Sequence, residues 1–203
     1  MVHRRKLIIG GLACAGLPTL GGALAQEQGQ DTSSVWAPHI IELAEPFPPA
    51  GEVHVMPGPF RLYWTLPAGR AIVYPVRIGR GDLYEAGEYF IGAKKEWPSW
   101  VPTPDMVKRE PEKYAQYAET GMAGGVGNPL GARALYLFTV ERGDTFLRIH
   151  GTDDSSTIGR AVSNGCAGLT NEHMVDLYDR VPLDAKVFLH PKPDDGGFTH
   201  DLE

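Results

Sequence analysis

Cysteine is scarce: the 203 residues hold two, Cys14 and Cys166. That excludes a scaffold stapled by several disulfides. The seven histidines are scattered without the paired spacing of a zinc site, so no metal is expected. Positive charge is also in deficit, with 19 Lys and Arg against 25 Asp and Glu and a net charge of −6. A surface of that sign excludes nucleic acid and anionic lipid as the main partner. The glycine run Gly121, Gly124, Gly125 and Gly127 lacks the Lys-Ser/Thr that completes a phosphate loop. No cofactor motif appears, and no cofactor is expected.

The first 25 residues have the pattern of an export signal. Arg4, Arg5 and Lys6 precede the apolar stretch Leu7 to Leu20, which is too short to cross a bilayer, and Ala23-Leu24-Ala25 gives a small-x-small cleavage site. The arginine pair suits either the Sec or the twin-arginine route. Gly11 stands where a lipobox would have leucine, so Cys14 is not expected to carry lipid. Cleavage would leave 203 − 25 = 178 residues, a net charge of −6 − 3 = −9, and one thiol, Cys166, in an oxidising periplasm. Residues 26–51 are polar and then proline-rich, an arm or linker. Residues 52–191 form one unit, and 192–203 a tail.

Strand-like runs dominate that unit: 52–56, 60–64, 71–78, 88–91, 132–140, 145–150 and 186–190. Glycine and proline punctuate them, which points to a mainly β sandwich or barrel. One helix is well signalled. Thr170 or Asn171 can cap it, and Met174, Leu177, Tyr178 and Val181 recur on one face before Pro182. A weaker helix is expected over 112–120. Residues 93–131 read as irregular, and Trp97 and Trp100 within them suggest a lid beside a substrate cleft.

Chemistry concentrates at Ser163-Asn164-Gly165-Cys166, just before the helix. A thiolate there would feel the positive helix end. Gly165 would allow close approach of a carbonyl, with the N–H groups of Gly165 and Cys166 aimed at an oxyanion. The thiol needs a base, and His150 ends a strand 166 − 150 = 16 residues upstream.

Ile149-His150-Gly151-Thr152, Ile158-Gly159 and Ser163-Asn164-Gly165-Cys166 together resemble the active-site signature of the L,D-transpeptidase (YkuD-like) catalytic domain. Val76-Arg77-Ile78-Gly79, Gly87-Glu88-Tyr89-Phe90, Asn128-Pro129-Leu130-Gly131 and Asp176-Leu177-Tyr178 extend the likeness over residues 52–191. The resemblance implies an L,D-transpeptidase-type β-sandwich with a helix after the cysteine loop. It also implies a mechanism: Cys166 attacks a peptidoglycan tetrapeptide stem, D-alanine leaves, and the thioester passes to an amine of another stem or of an envelope protein. His150 would activate the thiol, oriented by the carbonyl of Gly151, with Ser163, Asn164 and Gly165 positioning the loop. Arg160, Trp97, Trp100 and Asn128 are the substrate-binding candidates. Two positions depart from the family pattern. Asn164 replaces a histidine two residues before the cysteine, and Gly168 replaces an arginine two residues after it, for which Arg160 or Arg148 could compensate. The alternatives are transfer to water, as a wall peptidase or amidase, and a catalytically weak wall-binding protein.

Overall fold

The computed structural model describes residues 37–193. The export signal at 1–25, Cys14, the start of the arm and most of the tail lie outside the described residues. The chain is mainly β. Its strands are β1 (His39–Glu42), β2 (Val53–Met56), β3 (Arg61–Leu66), β4 (Arg70–Pro75), β5 (Ile78–Gly79), β6 (Gly87–Glu96), β7 (Arg133–Thr139), β8 (Gly143–Thr152), β9 (Ala161–Ser163), β10 (Ala167–Thr170) and β11 (Lys186–Leu189). Its helices are α1 (Pro104–Arg109), α2 (Pro111–Tyr114) and α3 (Asn171–Arg180).

Nine strands form one mixed sheet in the order β1-β4-β3-β2-β11-β6-β7-β8-β10, and β5 pairs with β9 beside it. The sheet closes on itself. Two residues past β4, Arg77 donates its N–H to the Gly168 carbonyl at 2.8 Å, and the Gly168 N–H returns a bond to the Arg77 carbonyl at 2.9 Å. One core fills the interior, drawing Val53, Leu62 and Tyr74 from one side, Leu135, Ile149 and Leu169 from the other, and Met174 and Leu177 from α3.

Strands β2 and β4 are buried along almost their whole length instead of alternating. Their outer face meets a second small cluster of Leu43, Met56, Tyr63, Ala71 and Val73, packed by Ile41. The arm is therefore tied to the sheet: β1 runs antiparallel to β4 in register His39↔Val73. A four-residue segment bounded by Pro38 carries too short a pattern to announce this strand.

Helix α3 forms where its pattern places it. The Thr170 hydroxyl accepts the His173 N–H at 3.3 Å, and Met174 and Leu177 are fully buried, each contributing roughly 1.5–3 kcal/mol. Its last carbonyls do not end in a glycine cap. Lys94 Nζ donates to the carbonyls of Tyr178 (2.6 Å) and Val181 (2.7 Å). The weaker helix expected over 112–120 lies earlier and is broken. Thr103 caps α1 with Pro104 in its first turn, Pro111 opens the four-residue α2, and residues 115–117 make a tighter turn.

Candidate active site

The parallel ladder between β8 and β10 sets Ile149 beside Ala167 and His150 beside Gly168. Ile149, Ala167 and Leu169 point into the core. Alternation therefore turns His150, beside Gly168, to the opposite face, and Cys166 immediately precedes β10. His150 and Cys166 both line a cavity of about 720 Å3 together with Arg77, Asn164, Trp100 and Tyr114.

His150 is 4% exposed, and its Nδ1 lies 2.7 Å from the Gly151 carbonyl. That bond fixes Nδ1 as the N–H donor and leaves the Nε2 lone pair available. Burial, then the charge of Arg77, pushes the imidazole down to about 3; the Gly151 carbonyl opposes this, and the charge of Arg148 adds a smaller push downward. Burial pushes the Cys166 thiol up, opposed by the Arg148 backbone N–H and the charges of Arg148 and Arg77. The resting pair is thus a neutral imidazole beside a neutral thiol, arranged to pass a proton when the sulfur attacks.

The cysteine loop is braced from within. Ser163 Oγ donates to the Cys166 carbonyl at 2.6 Å and accepts the Gly165 N–H at 3.3 Å. Gly165 has φ +120, and a Cβ there would sit 2.8 Å from the Leu83 carbonyl oxygen, so no other residue fits without strain. Two sequence expectations change here. The Gly165 N–H points at Ser163 and is not free for an oxyanion. The helix end is not beside the thiol, because β10 is extended and separates Cys166 from α3 by four residues, about 13 Å. A helix terminus acts over about one turn, so the positive surroundings of the sulfur come from Arg148 and Arg77.

Asn164 faces the other wall. Its Nδ2 donates to the Tyr114 hydroxyl at 2.9 Å, and its Oδ1 accepts from Arg109 (3.1 Å) and Arg80 (3.4 Å). Arg80 is also paired with Glu110. The asparagine thereby ties the loop of Cys166 to the segment carrying α1 and α2. Trp100 stands on that segment, edge-on to Tyr114 and Tyr117 with ring centroids 6.0 Å apart in each case.

The other candidates are placed elsewhere. Trp97 is 48% exposed and does not line the cavity; its backbone takes φ +42. Asn128 is buried, with its amide donating to the carbonyls of Met122 and Ala123 and accepting the Leu130 N–H, so it braces a loop and does not line the cavity. Arg160 is exposed and offers the site only its carbonyl, which accepts the Ile78 N–H. Arg148 is held by both oxygens of Asp144 (2.6 and 2.8 Å) and lies 3.9 Å above the Tyr136 ring. The residue that sequence reasoning passes over is Arg77. Its side chain fills the space above Gly168, where a Cβ would lie 2.9 Å from the Arg77 Cγ. The signal available was a charged residue inside the apolar run Val76-Arg77-Ile78.

A family model described as the L,D-transpeptidase catalytic domain (YkuD) matches residues 52–189. The Fuscovulum blasticum protein named "Putative L,D-transpeptidase in ATP synthase subunits region ORF 5" is 36% identical over 126 residues, covering 62% of this chain and 61% of that one. Probable L,D-transpeptidase ErfK/SrfK of Escherichia coli is 31% identical over 136 residues, covering 66% of this chain and 42% of that one. The chain thus matches less than two thirds of the length of these relatives. A solved structure from Brucella melitensis, named as a probable carnitine operon oxidoreductase, is 41% identical, with a TM-score of 0.52 and coverage of 72% of this chain and 89% of that one. An L,D-transpeptidase from Enterococcus faecium shares the fold at 15% identity, with a TM-score of 0.51 and coverage of 70% of this chain and 50% of that one.

Proposed function

The chain belongs to the L,D-transpeptidase (YkuD) catalytic-domain family, and from that premise we propose that it is an exported acyltransferase of the cell wall, acting through a thioester on Cys166. The observation that supports the reading is that a carbonyl-pinned His150 on β8 and Cys166, just before the partner strand β10, line one cavity.

In this reading the donor is a peptidoglycan tetrapeptide stem. The Cys166 sulfur attacks the carbonyl of the third residue while His150 Nε2 takes the thiol proton. The C–N bond to the terminal D-alanine then breaks, its amine receives the proton from His150, and a thioester remains. An amine from another stem or an envelope protein attacks that thioester, giving up a proton to His150, and the thiol is restored. Asn164 cannot carry a proton at neutral pH, so the base role falls to His150 alone. The periplasmic location rests on the sequence of residues 1–25. Among the described residues no helix is long and apolar enough to cross a membrane.

The test is incubation of the protein with purified peptidoglycan and mass spectrometry of the muropeptides. Stems joined with loss of D-alanine, and absent with Cys166→Ala, are the expected products. Shortened stems without joining would make water the acceptor. Unchanged muropeptides would refute the enzyme.

A further inference from the structure

Three arginines border the cavity: Arg77, Arg109 and Arg148. Two of them are engaged, Arg148 by Asp144 and Arg109 by the Asn164 amide. Arg77 differs. Its Nη1 donates to Thr157 Oγ1 at 3.2 Å, and among the described residues no carboxylate lies within ion-pair distance. Its Nε is buried and has no hydrogen-bond partner. Its charge acts on both His150 and Cys166, and Asp154 is the acidic side chain that acts on it from a distance. A guanidinium that lines a cavity without a carboxylate partner leaves its charge open to an anionic ligand.

We propose that Arg77 is the carboxylate-binding residue of this site, its guanidinium laid across Gly168 beside Cys166 to receive a carboxylate of the acyl donor. An arginine guanidinium binds a carboxylate through charge-assisted N–H···O bonds; Nε is closed off against Gly168, so the Nη end, where Arg77 lines the cavity, is the part that receives it. Gly168 makes the placement possible. It faces His150 in the β8–β10 register, and any side chain on it would enter the space of Arg77. A stem ending in D-alanine carries a carboxylate next to the bond that breaks, and a diamino acid at its third position can carry another. The proposal rests on the acyltransferase reading for its substrate, but not for its chemistry.

Alkylation of Cys166 by iodoacetate and by iodoacetamide tests it on the full chain, read on the Cys166 peptide by mass spectrometry. Both reagents lose iodide to the same thiolate, so the ratio of their rates cancels any change in thiol ionisation and reports carboxylate recognition. The wild-type ratio should exceed that of a small free thiol, fall roughly tenfold in Arg77→Gln, and return in the double variant Arg77→Ala with Gly168→Arg. A ratio unchanged in Arg77→Gln overturns the proposal. Should Arg77→Gln fail to fold, the double variant decides, and a ratio equal to that of the free thiol overturns it. Stems amidated at the terminal carboxylate or at the third-residue side chain then separate the two sources. The relevant amide should raise KM in the wild type and not in Arg77→Gln. If the ratio behaves as expected while no stem is turned over, the acyltransferase reading fails and the carboxylate site stands.

Discussion

The cavity has two walls of different construction. One is ladder: β8 is bonded to β7 on one side and β10 on the other, and β10 is bonded in turn to Arg77. The other is the stretch 97–130, built from two short helices broken at Pro111, glycines with positive φ at 121, 125 and 127, and one isolated bridge between Trp100 and Met122. Beyond the Trp97 N–H bond to the Ala132 carbonyl at its start, its ties to the first wall are side-chain bonds, between Asn164 and both Tyr114 and Arg109 and from the Gly127 N–H to Asp153. His150 and Cys166 belong to the ladder wall; Trp100 and Tyr114 belong to the other. Groups that exchange a proton need fixed spacing, and hydrogen-bonded strands give it. A wall held by a few side-chain contacts opens more easily and can fit itself to a bulky ligand.

This contrast can be broken from either side. The largest effect should come from Cys166→Ala, which should abolish turnover and thiol labelling, with Cys166→Ser nearly as severe because a hydroxyl stays protonated. His150→Ala should lower kcat/KM by at least about 100-fold. Asn164→Ala should loosen the second wall without touching the pair, raising KM by about three- to tenfold, the effect of one or two hydrogen bonds, with kcat little changed. Steady-state kinetics on a defined stem would rank them, and Asn164→Ala proving worse than His150→Ala would erase the division of labour.

A pH profile sharpens the comparison further. The neutral imidazole and raised thiol imply that Cys166 alkylation keeps rising with pH above the ordinary thiol range, about 8.5, and shows no step near 6.5. A step there would mean that His150 titrates in the usual way. The smallest effect on activity should come from His54, on β2, which lies 3.0 Å from His190 and 3.3 Å from Glu52. Burial, then the neighbouring His190, pushes its pKa down to about 4. Its folded value lies below the unfolded one, so the unfolded chain takes the proton first. The stability is complete above about pH 6.5 and is lost as pH falls towards 4. Between pH 7 and 5 that contribution is about 2 kcal/mol. Denaturant unfolding at the two pH values should show it on top of the like-signed contribution of His150, and His54→Gln should shrink the dependence by about 2 kcal/mol while leaving kinetics at pH 7 unchanged.

The sequence reveals the ladder wall better than the other one. The apolar period of α3, the strand ending in His150 and the lone thiol are local patterns, and local patterns can be read from one chain. What escaped depends on distant segments meeting. Strand β10 looks like loop because Ala167-Gly168 has little strand character, and the expected helix-end effect on Cys166 failed with it. Arg77 became visible only through the register that sets it against Gly168. Asn128 and Trp97 were sensible candidates by neighbourhood in sequence, but the irregular wall turns Asn128 inward and Trp97 outward.

The bridge between Arg77 and Gly168 also sets an order of events in folding. It joins residues 168 − 77 = 91 apart, whereas β7 and β8 are joined by a turn of three residues, 140–142. Short closures form first and long ones last, since the entropy of a large loop must be met before its contacts form. His150 therefore enters its hairpin early and Cys166 joins it through the β8–β10 pairing, only 167 − 149 = 18 residues apart, while Arg77 reaches Gly168 in a later closure. A chain still in transit carries thiol and base together without the Arg77 guanidinium beside them, and the site is complete only when that closure forms. Pulse-labelling hydrogen exchange during refolding should find the amides of Leu137 and Ile149 protected before that of Gly168.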